Sequence, residues 1–310
     1  MKVFIAGHKG LVGSAVIRKA PKEFEIVTID RSELDLCDSA KITKYFKIEK
    51  FDSVILAAAK VGGIAANSRY QSTFLTENLA IQNSVIMAAA KNSVQNLIFL
   101  GSSCVYPVAG EQPMRESSLL TGSLEPTNEG YAIAKIAGIR LVRALYEENG
   151  SNFKTLMPTN LYGPNDNFDL EFGHVPAALV RKLHEAKIFQ SPSVTIWGTG
   201  KARREFMHSD DLADACWHFL DKDLKGGIVN VGTGVEVSIA QLAITIANIV
   251  GYRGEIKFDS SMPDGAKRKL LDLTKLHEYH WSHSIGLENG LQKTYQWFEK
   301  SYLRGEVRGI

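Results

Sequence analysis

Cysteine is scarce in this chain: Cys37, Cys104 and Cys216 stand far apart in 310 residues. They form no CxxC pair and no disulfide framework, which excludes a small stapled secreted fold and points to a reducing compartment. Charge of one sign is lacking as well. Lys and Arg number 36 against 34 Asp and Glu, a formal net charge of +2, so nucleic acid is not the expected partner. No apolar run approaches the roughly 20 residues that span a bilayer. The opening Met1-Lys2-Val3-Phe4-Ile5-Ala6-Gly7 leaves no room for a secretory signal. The expectation is a cytoplasmic protein without a membrane partner or a metal. Internal repeats and low-complexity segments are absent too.

What is present is ordinary globular composition, 45% apolar and 23% charged. The length suits two joined lobes, because single cores seldom grow beyond about 250–300 residues. Short apolar runs read as buried parallel strands: Val3 to Ala6, Glu25 to Ile29, Val54 to Ala59, Asn96 to Gly101 and Thr155 to Asn160. Helical patterns such as Phe74 to Lys91 and Glu129 to Asn149 lie between them. Strand and helix in alternation predict an α/β fold, a doubly wound parallel sheet. Pro21 closes the first helical region. Past Gly163-Pro164 the rhythm breaks at the polar stretch Asn165 to Asp169, where a smaller C-terminal lobe is expected to begin. The expected division is 1–164 and 165–310, with some later segments returning to the first lobe. Ile228 to Val231 reads as a strand, and Leu287, Leu291 and Phe298 have helical spacing.

Gly7-His8-Lys9-Gly10-Leu11-Val12-Gly13 sits between the first strand and the first helix. Glycines there let the chain turn and let backbone N–H groups approach a pyrophosphate, which the helix N-terminus also attracts. A tight strand-to-helix turn without a ligand is the alternative. Asp30, closing the second strand, would bind a ribose 2′-hydroxyl. Lys9 and Arg31 would instead hold a 2′-phosphate, and the reading leans to NADP(H).

Tyr131 and Lys135 lie one turn apart on a helix, hence on one face. An ammonium beside a phenol stabilises the phenolate and makes tyrosine a usable general acid or base. The fourth strand ends in Gly101-Ser102-Ser103-Cys104, and doubly wound folds build their sites at strand carboxyl ends. On an extended chain Ser102 and Cys104 point the same way and Ser103 elsewhere. Ser102 is then placed to hydrogen-bond a carbonyl oxygen, Tyr131 to protonate it, and Lys135 to tune the tyrosine and hold the nicotinamide ribose.

With these groups assembled, the chain resembles an extended short-chain dehydrogenase/reductase with a Rossmann domain. AAAKVGGIAAN (Ala57 to Asn67), GSSCVYP (Gly101 to Pro107), EPTNEGYAIAKIAGI (Glu125 to Ile139), PTNLYGPNDNF (Pro158 to Phe168) and RKLLD (Arg268 to Asp272) resemble the GDP-L-fucose synthase family. The resemblance implies NADPH-dependent 3,5-epimerisation and 4-keto reduction of a GDP-linked 4-keto-6-deoxy sugar, by a homodimer packed through the helices around Phe74 to Lys91 and Glu129 to Asn149. It implies that Cys104 and His174 are the acid/base pair of epimerisation, and that Lys182, Trp197, Arg204 and Lys269 hold the GDP part. Thiol and imidazole suit proton exchange near neutrality.

Lys9 and Lys182 stand where the family has arginine, Gly130 where it has proline, and Asp169 to Gly173 departs from its pattern beside the sugar. Two rival readings follow. One is a 4-reductase without epimerisation, acting on a dideoxy or seven-carbon analogue. The other is a cofactor-binding regulator, against which the intact Ser102, Tyr131 and Lys135 argue.

Overall fold

Strands buried on both faces belong to parallel sheets, because crossover helices must cover both sides. β1 (Lys2–Ala6) is buried from Val3 onward and leads into α1 (Leu11–Arg18). β2 (Glu25–Val27) and α2 (Ser39–Glu49) follow. α2 starts at Asp38, whose carboxylate accepts the Lys41 N–H at 3.0 Å, a cap worth about 1 kcal/mol. β3 (Ser53–Leu56) is buried throughout. α3 (Ile64–Arg69) and α4 (Gln71–Lys91) carry the chain to β4 (Asn96–Leu100), and α5 (Glu129–Asn149) carries it to β5 (Asn152–Pro158). The computed structural model describes residues 1–262 and 264–310.

Beyond β5 the chain leaves this sheet. β6 (Asn160–Tyr162), α6 (Val175–Ile188), β7 (Ser193–Trp197) and β8 (Arg203–His208) begin a second layer, and α7 (Ser209–Phe219) with β9 (Ile228–Val231) returns to the first. β10 (Glu236–Ser238), α8 (Ile239–Val250), β11 (Glu255–Asp259), β12 (Arg268–Lys269), α9 (Thr274–Glu278) and α10 (Leu287–Leu303) complete the chain. The main sheet runs β2-β1-β3-β4-β5-β9, with every pairing parallel. Its order reverses at β1, and the crevice above that reversal is where doubly wound sheets take ligands. β8 is flanked by β10 and β12 and also pairs with β6, while β7 pairs with β11. A second apolar core, running from Tyr162 to Val307, includes residues of α6, α8 and α10. No helix among the described residues is long and apolar enough to cross a membrane.

Three strand ends differ from the sequence expectation. β2 stops at Val27, so Asp30 lies beyond it. β3 stops at Leu56: Ala57 N still donates to Ala6 O at 3.0 Å, and the chain then bends over the glycine loop. The run from Thr155 to Asn160 is not one strand. β5 ends at Pro158 and β6 pairs with β8 instead, because the chain changes sheets at Thr159.

Candidate functional site

The three loop glycines answer to different pressures. Gly7 has φ +90°, and a Cβ there would lie 2.7 Å from the Ala58 backbone. A Cβ on Gly13 would lie 2.1 Å from Gly7 O. These two let the strand, the loop and α1 close on one another. At Gly10 a Cβ would meet only Gly7 O, at the ordinary contact distance of 3.5 Å. The fold does not need glycine there, whereas a ligand lying against the loop does. No side chain among the described residues caps α1 at Gly10, so the N–H groups of Leu11, Val12 and Gly13 start a helix whose partial positive charge faces the crevice. This loop therefore fits a pyrophosphate. Gly13→Ala is expected to cost about 1–3 kcal/mol in denaturant unfolding through overpacking, whereas Gly10→Ala leaves stability unchanged.

At the end of β2 the Lys9 ammonium lies 2.6 Å and the His8 imidazole 3.1 Å from Asp30 Oδ1. Lys9 most of all, then His8, holds the Asp30 carboxyl below the usual carboxylate range. Arg31 is largely exposed, with its guanidinium 3.7 Å from Asp35.

The segment after β4 is not extended as expected. Ser103–Val105 forms a 3₁₀ turn, and Ser102 Oγ accepts the Cys104 N–H at 3.3 Å. The Ser102 hydroxyl hydrogen is thus free to be donated elsewhere. Ser103 is buried while Ser102 and Cys104 remain partly exposed, as alternation expects, although a tight turn produces it. Tyr131 and Lys135 face this turn from α5. That helix sits close because Gly138 has no side chain: a Cβ there would strike the Phe99 ring at 2.5 Å. The Lys135 Nζ donates to Leu100 O at 2.8 Å and lies 5.8 Å from the Tyr131 ring centroid.

Burial changes the expected tuning. The ammonium was expected to lower the phenol, but burial raises Tyr131 well above its ordinary value. Cys104 adds to that rise, and hydrogen bonding with Ser102 opposes it. Burial also pushes Lys135 down to about 7, since each charge loses its hydration. Gly130, at the first turn of α5, donates its N–H to Gln71 Oε1 at 3.2 Å, and a Cβ there would lie 2.6 Å from Gln71 O. Glycine seats this helix start against α4.

The other expected residues arrive from the second layer. Lys269 and Arg204 are register partners across β12 and β8. The Lys269 Nζ lies 3.8 Å from Cys104 Sγ, and Arg204 lies close enough to Cys104 and Asp264 for their charges to oppose the lowering that burial imposes on it. The Asp264 carboxylate accepts the Thr199 N–H and hydroxyl, both at 2.7 Å. Trp197 ends β7 with 51% of its surface exposed, and two residues earlier Thr195 O accepts the Lys182 ammonium at 2.6 Å. Lys182 and Trp197 thus share one strand edge, whereas Arg204 and Lys269 cluster at Cys104.

His174 precedes α6. Its Nδ1 is shielded from solvent, and Asp166 Oδ1 lies 3.6 Å away. Burial acts to lower the imidazole, but the Asp166 carboxylate beside it more than offsets that, so the net shift is upward; Arg308 works against Asp166.

Sequence reasoning misses several supporting residues. Asp166 reads as one more polar residue in a turn, yet it is only 3% exposed. Asn78 on α4 is 2% exposed. It accepts the Lys60 N–H at 2.9 Å and donates to Lys60 O at 3.0 Å, fixing the segment that crosses the glycine loop. Its sequence signal is a pair of amides, Asn78 and Gln82, one turn apart on a helix face that also carries Phe74 and Val85. Glu205, wholly buried, accepts N–H groups from Thr233, Gly234 and Leu271.

Comparison with known proteins gives the chain a family. The model of the NAD dependent epimerase/dehydratase family matches residues 3–232. GDP-L-fucose synthase of Escherichia coli (strain K12) is 50% identical over 308 residues, covering 96% of either chain. The crystal structure of a GDP-6-OMe-4-keto-L-xylo-heptose reductase from C. jejuni superposes with a TM-score of 0.90 at 37% identity, covering 97% of this chain and 98% of that one. A GDP-L-fucose synthetase from Naegleria fowleri bound to NADP gives 0.90 at 28% identity, with 100% and 96% covered. The chain belongs to the NAD dependent epimerase/dehydratase family, within its GDP-L-fucose synthase branch.

Proposed function

We propose that the protein is an NADPH-dependent 3,5-epimerase and 4-reductase of a GDP-4-keto-6-deoxy sugar. One observation carries the reading: Cys104 and Ser102 are joined in one tight turn, the Cys104 N–H on Ser102 Oγ at 3.3 Å, at the strand end where Lys135 of the Tyr131 helix is bonded to Leu100 O at 2.8 Å. Carbon-acid chemistry and ketone protonation therefore share one pocket. The E. coli relative and the NADP-bound Naegleria structure support it.

In the proposed sequence Cys104 takes the proton from the carbon next to the ketone, and the electron pair moves onto the carbonyl oxygen. Ser102 and Tyr131 stabilise that oxygen as hydrogen-bond donors. His174 returns a proton to the opposite face. NADPH, when bound, supplies the hydride for carbon 4. Tyr131 then protonates the oxygen, and burial keeps its phenol in the acid form. Gly7, Gly10, Leu11, Val12 and Gly13 cradle the pyrophosphate, Lys9 and Arg31 take the 2′-phosphate, and Lys135 holds the nicotinamide ribose. Arg204 and Lys269 supply cations, and Lys182 with Trp197 the opposite wall, for the GDP part.

Incubating the enzyme with GDP-4-keto-6-deoxy-mannose and NADPH in deuterated water tests the reading. The expected product carries deuterium at carbons 3 and 5 and a reduced carbon 4. A reduced, unlabelled product would leave the second reading, a 4-reductase without epimerisation, which the heptose reductase likeness favours. The proposed homodimer packs through α4 and α5, where Ile133 is 43% exposed; light scattering checks it.

A further inference from the structure

We propose that Asp166 is a positioning residue of this site: its buried carboxylate, set against the inner nitrogen of His174, orients the imidazole and stabilises its cationic form for returning a proton to carbon. The inference rests on the epimerase reading and adds a residue to it.

Asp169, a carboxylate that shapes the same loop, accepts the Glu171 and Phe172 N–H groups at 2.9 and 2.6 Å, both on Oδ1, and is only half-buried, so water can reach its other oxygen. Asp166 likewise accepts the Asn167 N–H at 2.8 Å on Oδ1, but it is only 3% exposed. Its Oδ2 is buried with no hydrogen-bond partner among the described residues. Leaving such an oxygen unmet costs about 1–3 kcal/mol, and a cost of this kind is tolerated where a site uses the group. The group set against this carboxylate is the His174 imidazole, whose Nδ1 lies 3.6 Å from Oδ1 and is itself buried with no hydrogen-bond partner among the described residues. That separation is longer than a formed hydrogen bond, and catalytic hydrogen bonds commonly tighten when substrate closes the site. With Nδ1 turned toward Asp166, Nε2 is left for the substrate, and a fixed partner at one nitrogen sets the protonation of the other.

The loop between the two residues is tightly held. Gly173 N donates to Asp169 O at 3.0 Å, and a Cβ on Gly173 would lie 2.4 Å from that oxygen. Residues near the chain's end brace it from outside: Phe168 N donates to Arg308 O at 2.9 Å, and Arg181 Nη1 to Gly309 O at 2.7 Å. Among the described residues, the charged groups that act on the imidazole are Asp166 from the loop and Arg308 from this tail, with opposite effects. The sign follows. A cationic form stabilised by Asp166 persists to higher pH, so proton return fails as pH rises through that raised value.

The experiment measures washing of deuterium into carbons 3 and 5 of GDP-4-keto-6-deoxy-mannose with NADP+, where reduction cannot follow. Asp166→Asn is expected to slow exchange near neutrality by about ten- to a hundredfold and to move the alkaline limb of the pH profile to lower pH. Arg308→Gln, which keeps the backbone contact to Phe168, moves the limb to higher pH. NADPH binding, followed by fluorescence, stays as in the parent for both. Limbs that do not move, or move in the same direction, overturn the proposal, because a loop-shaping role has no reason to follow the sign of the removed charge. If Asp166→Asn loses NADPH binding through misfolding, Arg308→Gln decides alone: an upward limb supports the proposal and an unmoved one overturns it. A parent enzyme that exchanges no deuterium sinks the epimerase reading itself, a result distinct from the failure of Asp166.

Discussion

Tyr131→Phe is expected to slow ketone reduction by about 10²–10⁴-fold, the usual contribution of a placed general acid. The substitution removes one hydroxyl and keeps the ring, so α5 and the contact with Lys135 survive. What disappears is the proton for the carbon 4 oxygen. Burial, the largest influence on this phenol, raises it, so at neutral pH the parent holds its proton ready. Ser102 remains as a donor, its oxygen already engaged by the Cys104 N–H. Its hydroxyl cannot substitute, because an alcohol that gives up its proton is left with an unstabilised alkoxide. NADPH oxidation with the GDP-keto-sugar is the measurement, alongside an NADPH titration that should match the parent. An unchanged oxidation rate with intact binding would remove Tyr131 from the mechanism.

Glu205→Ala is expected to destabilise the protein by roughly 3–5 kcal/mol, because a hydrogen bond to a charged acceptor is worth about 1.5–3 kcal/mol and several are lost together. Glu205 Oε1 accepts Thr233 N at 2.5 Å and Gly234 N at 2.8 Å, and Oε2 accepts Leu271 N at 3.1 Å. One side chain thereby ties β8 both to the loop leaving β9 and to the segment following β12. Gly232 passes so close that a Cβ would lie 2.2 Å from the carboxylate, so this loop packs directly on the side chain. The alanine variant leaves the buried Leu271 N–H and the part-buried Thr233 and Gly234 N–H groups without their acceptor and frees the strand that carries Lys269. Denaturant unfolding should show the loss, and KM for the GDP-sugar should rise as Lys269 loses its place beside Cys104. Stability equal to the parent would show that the three N–H groups find other partners.

Much of this molecule was legible from local pattern. α5 spans Glu129–Asn149 and β9 spans Ile228–Val231, as periodicity and apolar runs indicate. Ser102, Cys104, Tyr131 and Lys135 could be placed together because a strand end and the following helix of a doubly wound sheet must meet. The second layer was far less legible. β7, β8 and β10 to β12 mix exposed polar residues with apolar ones instead of forming long apolar runs, and several of their partners lie far along the chain. The tuning of Tyr131 and Lys135 also escaped sequence reasoning, since proximity predicts an attraction while only burial sets its size.

By itself, then, the sequence determined the alternating strands and helices, the glycine loop after β1 and the pairing of phenol and ammonium on one helix face, all of which follow from side-chain spacing within one or two turns. Only the tertiary structure decided that the chain changes sheets at Thr159, that Lys269 reaches Cys104, that Asp166 lies against His174, and that Glu205 binds three backbone N–H groups. Those contacts join distant segments, and the solvation of a polar side chain depends on what the whole fold packs around it rather than on its neighbours in sequence.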